Sequence, residues 1–421
     1  MMNNSGSLSG QVNKKKHVVI LLFLIVTALS VVGCNLPAGR NCFGGGPCSS
    51  PTPSPTPSPS PRLLVSDNTT GAVNVVDAKT DLITNTIAVN SPGKMESAGG
   101  STLIQSTLSN SVVIFDNATT TIRFTVPLVA LPVDVAITFD GKTGWVAENN
   151  GTVQSIDTAT GAITGTTAVA GVQRLVIGPQ GTTVLAFNDT LAINFSIITP
   201  SGPSVIGNAG LDHPANAVFG ADDNHFTVLD CGPECGGTTA GLAGVALLPA
   251  GSGGPFVATP IPVSGATVGL LNGSNVLFVA GSPTVGLNAG TVQVLNPSAT
   301  TASTAVSIAD GRHNLMALTS NGRLYIGSTG CTAGAVNAQN QRQGCLTIFD
   351  TTTQTATPAL VPASRTTLDV TGLAPVPGRN VIYVIQGGVL DIFDITTNAV
   401  STTATPPNIT GTAFGVVQLS P

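Results

Sequence analysis

The side chains able to do chemistry are few, and they fall in small local groups. Seven cysteines stand at positions 34, 42, 48, 231, 235, 331 and 345. An odd number leaves at least one without a partner in the chain. Six of them have one obvious neighbour each: Cys42 with Cys48, Cys231 with Cys235, and Cys331 with Cys345. Only proximity argues for these pairs over other connectivities, and together they predict three disulfides in an oxidising compartment. A zinc site needs converging thiolates or histidines, and these spacings do not reproduce a C-x₂-C ribbon. Beyond the first fifty residues the histidines are His213, His225 and His313, and the chain's glutamates are Glu96, Glu148 and Glu234. His225 heads a predicted strand and reads as structural. No G-x-S-x-G, HExxH, phosphate-loop or dinucleotide-binding fingerprint stands in a suitable context. No catalytic set, metal site or cofactor site is expected.

The elements that must hold these residues are strands. Only 8% of the 421 residues are charged and 4% are aromatic, with a formal net charge of −5. Thr, Ser, Asn and Gly alternate with Val, Ile, Leu and Ala, which favours strands separated by tight turns. No extended i, i+3, i+4 apolar pattern carries helix-forming residues. The composition predicts an all-β fold. With no basic run beyond the N-terminus, nucleic acid is excluded as a partner.

The N-terminal residues 1–33 have the plan of a secretory signal. Lys14, Lys15 and Lys16 precede an apolar run from Val18 to Val32, which is short for a membrane span. The run ends in "VVGC", which resembles a bacterial lipobox. That resemblance implies that Cys34 becomes the lipid-bearing mature N-terminus, and it makes Cys34 the odd cysteine. An ordinary signal peptide or uncleaved anchor is the alternative. Asn35 lacks the acidic inner-membrane retention signal, so the resemblance implies outer-membrane or cell-surface placement. Residues 34–61 form a linker ending in "PTPSPTPSPSP". Proline at alternate positions predicts an extended polyproline spacer of about 30–35 Å, or else a flexible tether.

From residue 62 onward one pattern recurs. "LLVSDNTTGAVNVVDAKTDLITNTIAV" is echoed by "TLIQSTLSNSVVIFDNATTTIRFTV", by "TGWVAENNGTVQSIDTATGAITGTTAV" and by "VIYVIQGGVLDIFDITTNAVSTTA". Each reads as strand, polar turn, strand ending in Asp, Thr-rich turn, strand. A further strand with an Asp-Gly or Asn-Gly turn follows in several copies. The recurring aspartates are Asp77, Asp116, Asp157, Asp350 and Asp394, and their regularity points to turn capping rather than chemistry. Units spaced about 40–55 residues apart predict a single β-propeller of four-stranded blades over residues 62–421. The count is eight blades, with seven as the alternative because the middle units are degenerate. A β-sandwich array is the main competing fold. The terminal "FGVVQLSP" should pair into the first blade and close the ring. Trp145, the only tryptophan, falls in an aliphatic-aromatic strand and reads as core.

These units resemble YVTN-type β-propeller repeats, whose consensus runs roughly "vYVaNsgsntVsVIDtatntvvatI" followed by a "gvavspDG" strand. The resemblance implies the fold and a surface or extracellular setting, and it also admits lactonase-like enzymes. A quinoprotein propeller would show repeated tryptophans, which this chain lacks.

The connections narrow the search for a site. Between second and third strands most loops are short, but three consecutive units carry "DCGPECGGTTAGLAG", "AGSPTVGLNAG" and "GSTGCTAGAVNAQNQRQGC". Long loops on a rigid scaffold commonly carry binding. The alternative is drifted insertions stapled against proteolysis. The candidate contacts are Gln339, Asn340, Gln341 and Arg342 in the last loop, with His213, Arg312 and His313 at the rim. The leading functional expectation is a lipid-anchored, non-catalytic scaffold for a protein or glycan. The second is a periplasmic lactonase-like hydrolase working at the central channel.

Overall fold

The computed structural model describes residues 60–188, 194–199, 202–207, 211–237, 242–247, 257–283, 290–296, 302–334, 336, 343–359 and 368–420. The expectations for Cys34, Cys42, Cys48, the proline tract and Gln339 to Arg342 fall outside these residues. Everything described belongs to the compact unit Ser58–Pro421.

The described residues build eight four-stranded antiparallel sheets. Blade 1 is the composite one. Its second, third and fourth strands are Arg62–Asp67, Ala72–Asp77 and Leu82–Ala88, and its first is Ala413–Gln418 from the far end of the chain. Leu63 to Asp67 pair antiparallel with Gln418 to Ala413, so the closure expected from "FGVVQLSP" is formed. Blades 2 to 8 follow in chain order, beginning at Pro92, Pro132, Arg174, Pro214, Val268, Arg312 and Val370. First strands touch first strands all the way round, with Ala413–Gln418 between those of blades 8 and 2. This is a closed eight-bladed β-propeller, and the count of eight stands over seven.

The burial pattern explains the sequence. Second and third strands such as "LLVSD" and "VVIF" are buried on both sheet faces and so read as continuous apolar runs. Fourth strands lie at the rim, and Leu82–Ala88 alternates exposed and half-buried residues. Eight apolar clusters form, one in each gap between neighbouring blades. Leu64 and Val75 pack with Ile104 and Phe115 of blade 2, while Leu63 and Val65 pack with Tyr383 and Ile385 of blade 8. Period-two alternation thus sends successive residues of one strand into different cores. Trp145 lies half-buried against the core between blades 3 and 4.

The recurring aspartate caps the turn between third and fourth strands, which settles the role read from its regularity. Asp116 Oδ1 accepts from the backbone N–H groups of Ala118 and Thr119, each at 2.9 Å. Asp77, Asp157, Asp350 and Asp394 make the same pair of bonds two and three residues on. The residue four places after each adopts a left-handed backbone: Asp81 (φ 62°), Thr120 (56°), Gly161 (72°), Gln354 (53°) and Asn398 (57°). Only one of the five is glycine.

Candidate functional site

Two sets of connections occupy opposite faces of the ring. Links from second to third strands and from fourth to first strands share the loop face. Backbone bonds tie the two sets together there, as from Thr107 N to Ser91 O and from Cys231 N to His213 O. The remaining hairpins form the turn face.

On the loop face, the three long connections join the second and third strands of blades 5, 6 and 7. Two disulfides lie at their bases. Cys231 and Cys235 are bridged with Cα atoms 5.6 Å apart, and Cys331 and Cys345 with 5.9 Å, both ordinary spans. The first bridge closes a short 3-10 turn, Gly232–Cys235, that carries Glu234. The Glu234 carboxylate leaves its own blade. It accepts from Ser282 N of the blade 6 loop at 2.5 Å and from His313 N of blade 7 at 2.7 Å. Its Oε2 also lies 3.3 Å from His313 Nδ1, while His313 Nε2 lies 2.9 Å from Ala309 O. The two side chains are only 1% and 4% exposed, so this pair sits inside the loop layer. Asp310 binds Thr332 through its backbone N–H at 2.8 Å and through its hydroxyl, fixing the base of the last long loop. Loops of three consecutive blades are therefore bolted into one block.

The rim residues chosen from the sequence divide accordingly. Arg312 is exposed at the start of the blade 7 first strand. His313, its neighbour, faces inward and is engaged at both ring nitrogens. His213 is half-buried, with its Nδ1 3.5 Å from Asp212 Oδ1, and packs against Gly237. His225 lies on the turn side, exposed and held by Asp222 at 2.6 Å.

A second polar system follows the inner strands, and the sequence reading missed it. In seven blades a residue at or next to the end of the second strand clasps the loop that enters its own first strand. Asp67 accepts from Thr412 N, Glu148 from Ala130 N, and Asp230 from Asp212 N and His213 N. Ser106, Asn188, Ser328 and Gln386 instead donate to Asn90 O, Ala170 O, Asp310 O and Leu368 O. Burial pushes the Asp230 carboxyl above the usual carboxylate range, against the pull of its backbone donors. Next to these clasps, six first strands carry a bulge, in blades 1, 2, 3, 5, 7 and 8.

The channel edge of blades 2 to 4 is charged. Lys94 Nζ bridges Asp134 Oδ1 at 2.8 Å and Glu96 Oε1 at 3.2 Å. Asp134 Oδ2 also accepts from Leu175 N at 2.7 Å, linking blade 3 to blade 4. Enclosure opposes the charge on Lys94, but the carboxylates of Asp134 and Glu96 outweigh it and raise its pKa to about 12. Among the described residues no three His, Cys, Asp or Glu side chains converge as a metal site would require.

Comparison with known proteins agrees on the fold. No protein-family profile matches the chain, and no curated protein matches its sequence. Solved structures do match. Dihydro-heme d1 dehydrogenase NirN in complex with DHE is 12% identical with a TM-score of 0.63, covering 86% of this chain and 75% of that one. Apo AztD from Citrobacter koseri is 12% identical with a TM-score of 0.57, covering 86% and 98%. The β-propeller domain of Myceliophteria thermophila Cps50 (Swd1) is 12% identical with a TM-score of 0.52, covering 74% and 99%. At such identity the likeness shows the propeller and nothing of its activity.

Proposed function

We propose that the chain is an extracytoplasmic binding scaffold, held to a membrane by lipid on Cys34 and presenting the loops of blades 5 to 7 to a protein or glycan. The observation that carries this reading is the bolted loop block. Two disulfides and the buried Glu234–His313 pair fix the described bases of the three long second-to-third-strand loops, and a pre-ordered base lowers the cost of binding. The two disulfides support an oxidising compartment. YVTN-type repeats, common in surface proteins by the resemblance above, fit the same setting.

The lactonase-like alternative needs a free cluster of carboxylates in the channel. Asp134 and Glu96 are the acids in place there, and Lys94 already occupies both. Two experiments separate the readings. Purified full-length protein, supplied with calcium, is assayed against a panel of lactones; turnover that disappears with Asp134→Asn would favour the enzyme. A Cys34→Ala variant is then compared with wild type in detergent partitioning, and equal partitioning would remove the anchor from the account.

A further inference from the structure

The inner strands repeat a charge pattern that breaks at one gap. Lys94, Asp134, Arg174 and Asn216 hold corresponding places on the first strands of blades 2 to 5. Each lies one step inside the clasping residue of its blade, namely Ser106, Glu148, Asn188 or Asp230. Strand alternation fixes where they face. Met95 packs into the core toward blade 1, so Lys94 faces blade 3. Leu175 packs toward blade 3 and Val176 toward blade 5, so Arg174 faces blade 5.

In the gap between blades 2 and 3 a cation meets a carboxylate supplied by the next strand, Lys94 to Asp134 at 2.8 Å. In the gap between blades 4 and 5 the cation recurs and the carboxylate does not. The corresponding residue is Asn216, whose Oδ1 accepts from Ala217 N at 2.9 Å. Arg174 is half-buried, and beyond the backbone ladder to Phe187 its guanidinium makes no hydrogen bond or ion pair with any described residue. Its neighbour Asp134 is already taken by Lys94 and Leu175 N. A partly enclosed guanidinium without a counter-charge is costly unless something outside the chain supplies one.

We infer that Arg174 and Asn216 form a site for the carboxylate of a small aliphatic monocarboxylic acid in the central channel. The guanidinium fork matches a carboxylate bidentately, and the Asn216 amide adds a donor. The remaining corresponding places, in blades 6, 7, 8 and 1, are Val268, Leu315, Gly372 and Gly415. That side of the ring accepts an apolar body. A second negative charge on the ligand would face Asp134 and Glu96, which selects a single carboxylate.

Ligand-observed NMR on full-length protein tests this with butyrate, and with butyramide as the uncharged match. Butyrate should give a saturable signal and butyramide none. Arg174→Gln should weaken butyrate by about tenfold or more, the loss of a charged hydrogen-bond pair. Asn216→Asp places the missing carboxylate on the chain, as Asp134 does for Lys94. It should abolish butyrate binding while leaving the thermal midpoint equal or higher. Absence of a saturable signal, equal binding of butyramide, or wild-type affinity in either variant would overturn the site.

Discussion

At the scale of single residues, the clearest physics lies in the turn after each third strand. The Asp116 carboxylate collects two backbone donors and an ion pair with Arg123 at 2.5 Å. The Arg123 bond, then the backbone donors, hold its pKa at about 2, below the ordinary 3.8. Asp157 and Asp394 are lowered too, chiefly by Thr160 N and by the Thr396 hydroxyl. A carboxyl depressed in the folded state stabilises fully above its unfolded value, and that stabilisation is lost as pH falls through the folded value. The unfolding midpoint should therefore drop between pH 4 and pH 2, and Asp116→Asn should flatten that part of the profile. Solvent screening holds the Asp116 share to about 1 kcal/mol. The fourth turn residue offers an opposite test. Gln354 holds φ 53° where blade 3 uses Gly161. Gln354→Gly should raise stability by about 0.5–1 kcal/mol in urea titration, because it relieves a left-handed side-chain conformation. This motif was legible in the sequence because one residue type does one job at a fixed place. The clasps were not, since Asp, Ser, Glu, Asn and Gln share that work and leave no repeated letter.

At the scale of elements, the stitches between blades decide stability. Where the last blade meets the first, Asp81 accepts from Arg379 Nη1 at 2.6 Å and Nη2 at 3.0 Å, and from the Tyr383 hydroxyl. Arg379 also bonds Ala78 O across the same seam. Burial, and then the Asp81 carboxylate, raise the Tyr383 pKa, so the phenol stays a donor. Removing one partner of a buried pair leaves the other uncompensated, so Arg379→Met should cost about 3 kcal/mol in urea denaturation. The loop block makes a parallel prediction. Glu234→Ala leaves Ser282 N and His313 N without their acceptor. It should cost on the order of 3 kcal/mol and expose the blade 5 and blade 7 loops to proteolysis under native conditions. Neither stitch could be read beforehand, because its partners are hundreds of residues apart or fall in loops with no repeat. The strands themselves were readable from their buried apolar runs and the Thr-rich alternation of the rim.

At the scale of the whole molecule, radial repetition leaves each four-stranded sheet only short edges, one at the channel and one at the rim. The expected pairing of the C-terminal strand with the strand starting at Arg62 is present, and eight apolar gaps hold the ring. The position of the long loops in consecutive blades was also legible, since chain order becomes ring order in a propeller. What they bind was not, because no repeated letter encodes a surface. The central claim is that the bolted sector is the contact surface, and crosslinking in intact cells tests it most directly. A photo-crosslinking residue is placed at Val336, 53% exposed in the blade 7 loop, or at Leu108, 74% exposed on the same face in blade 2. The account predicts a discrete crosslinked partner from position 336 and none from position 108. Equal yields from both, or a partner captured only from position 108, would contradict it.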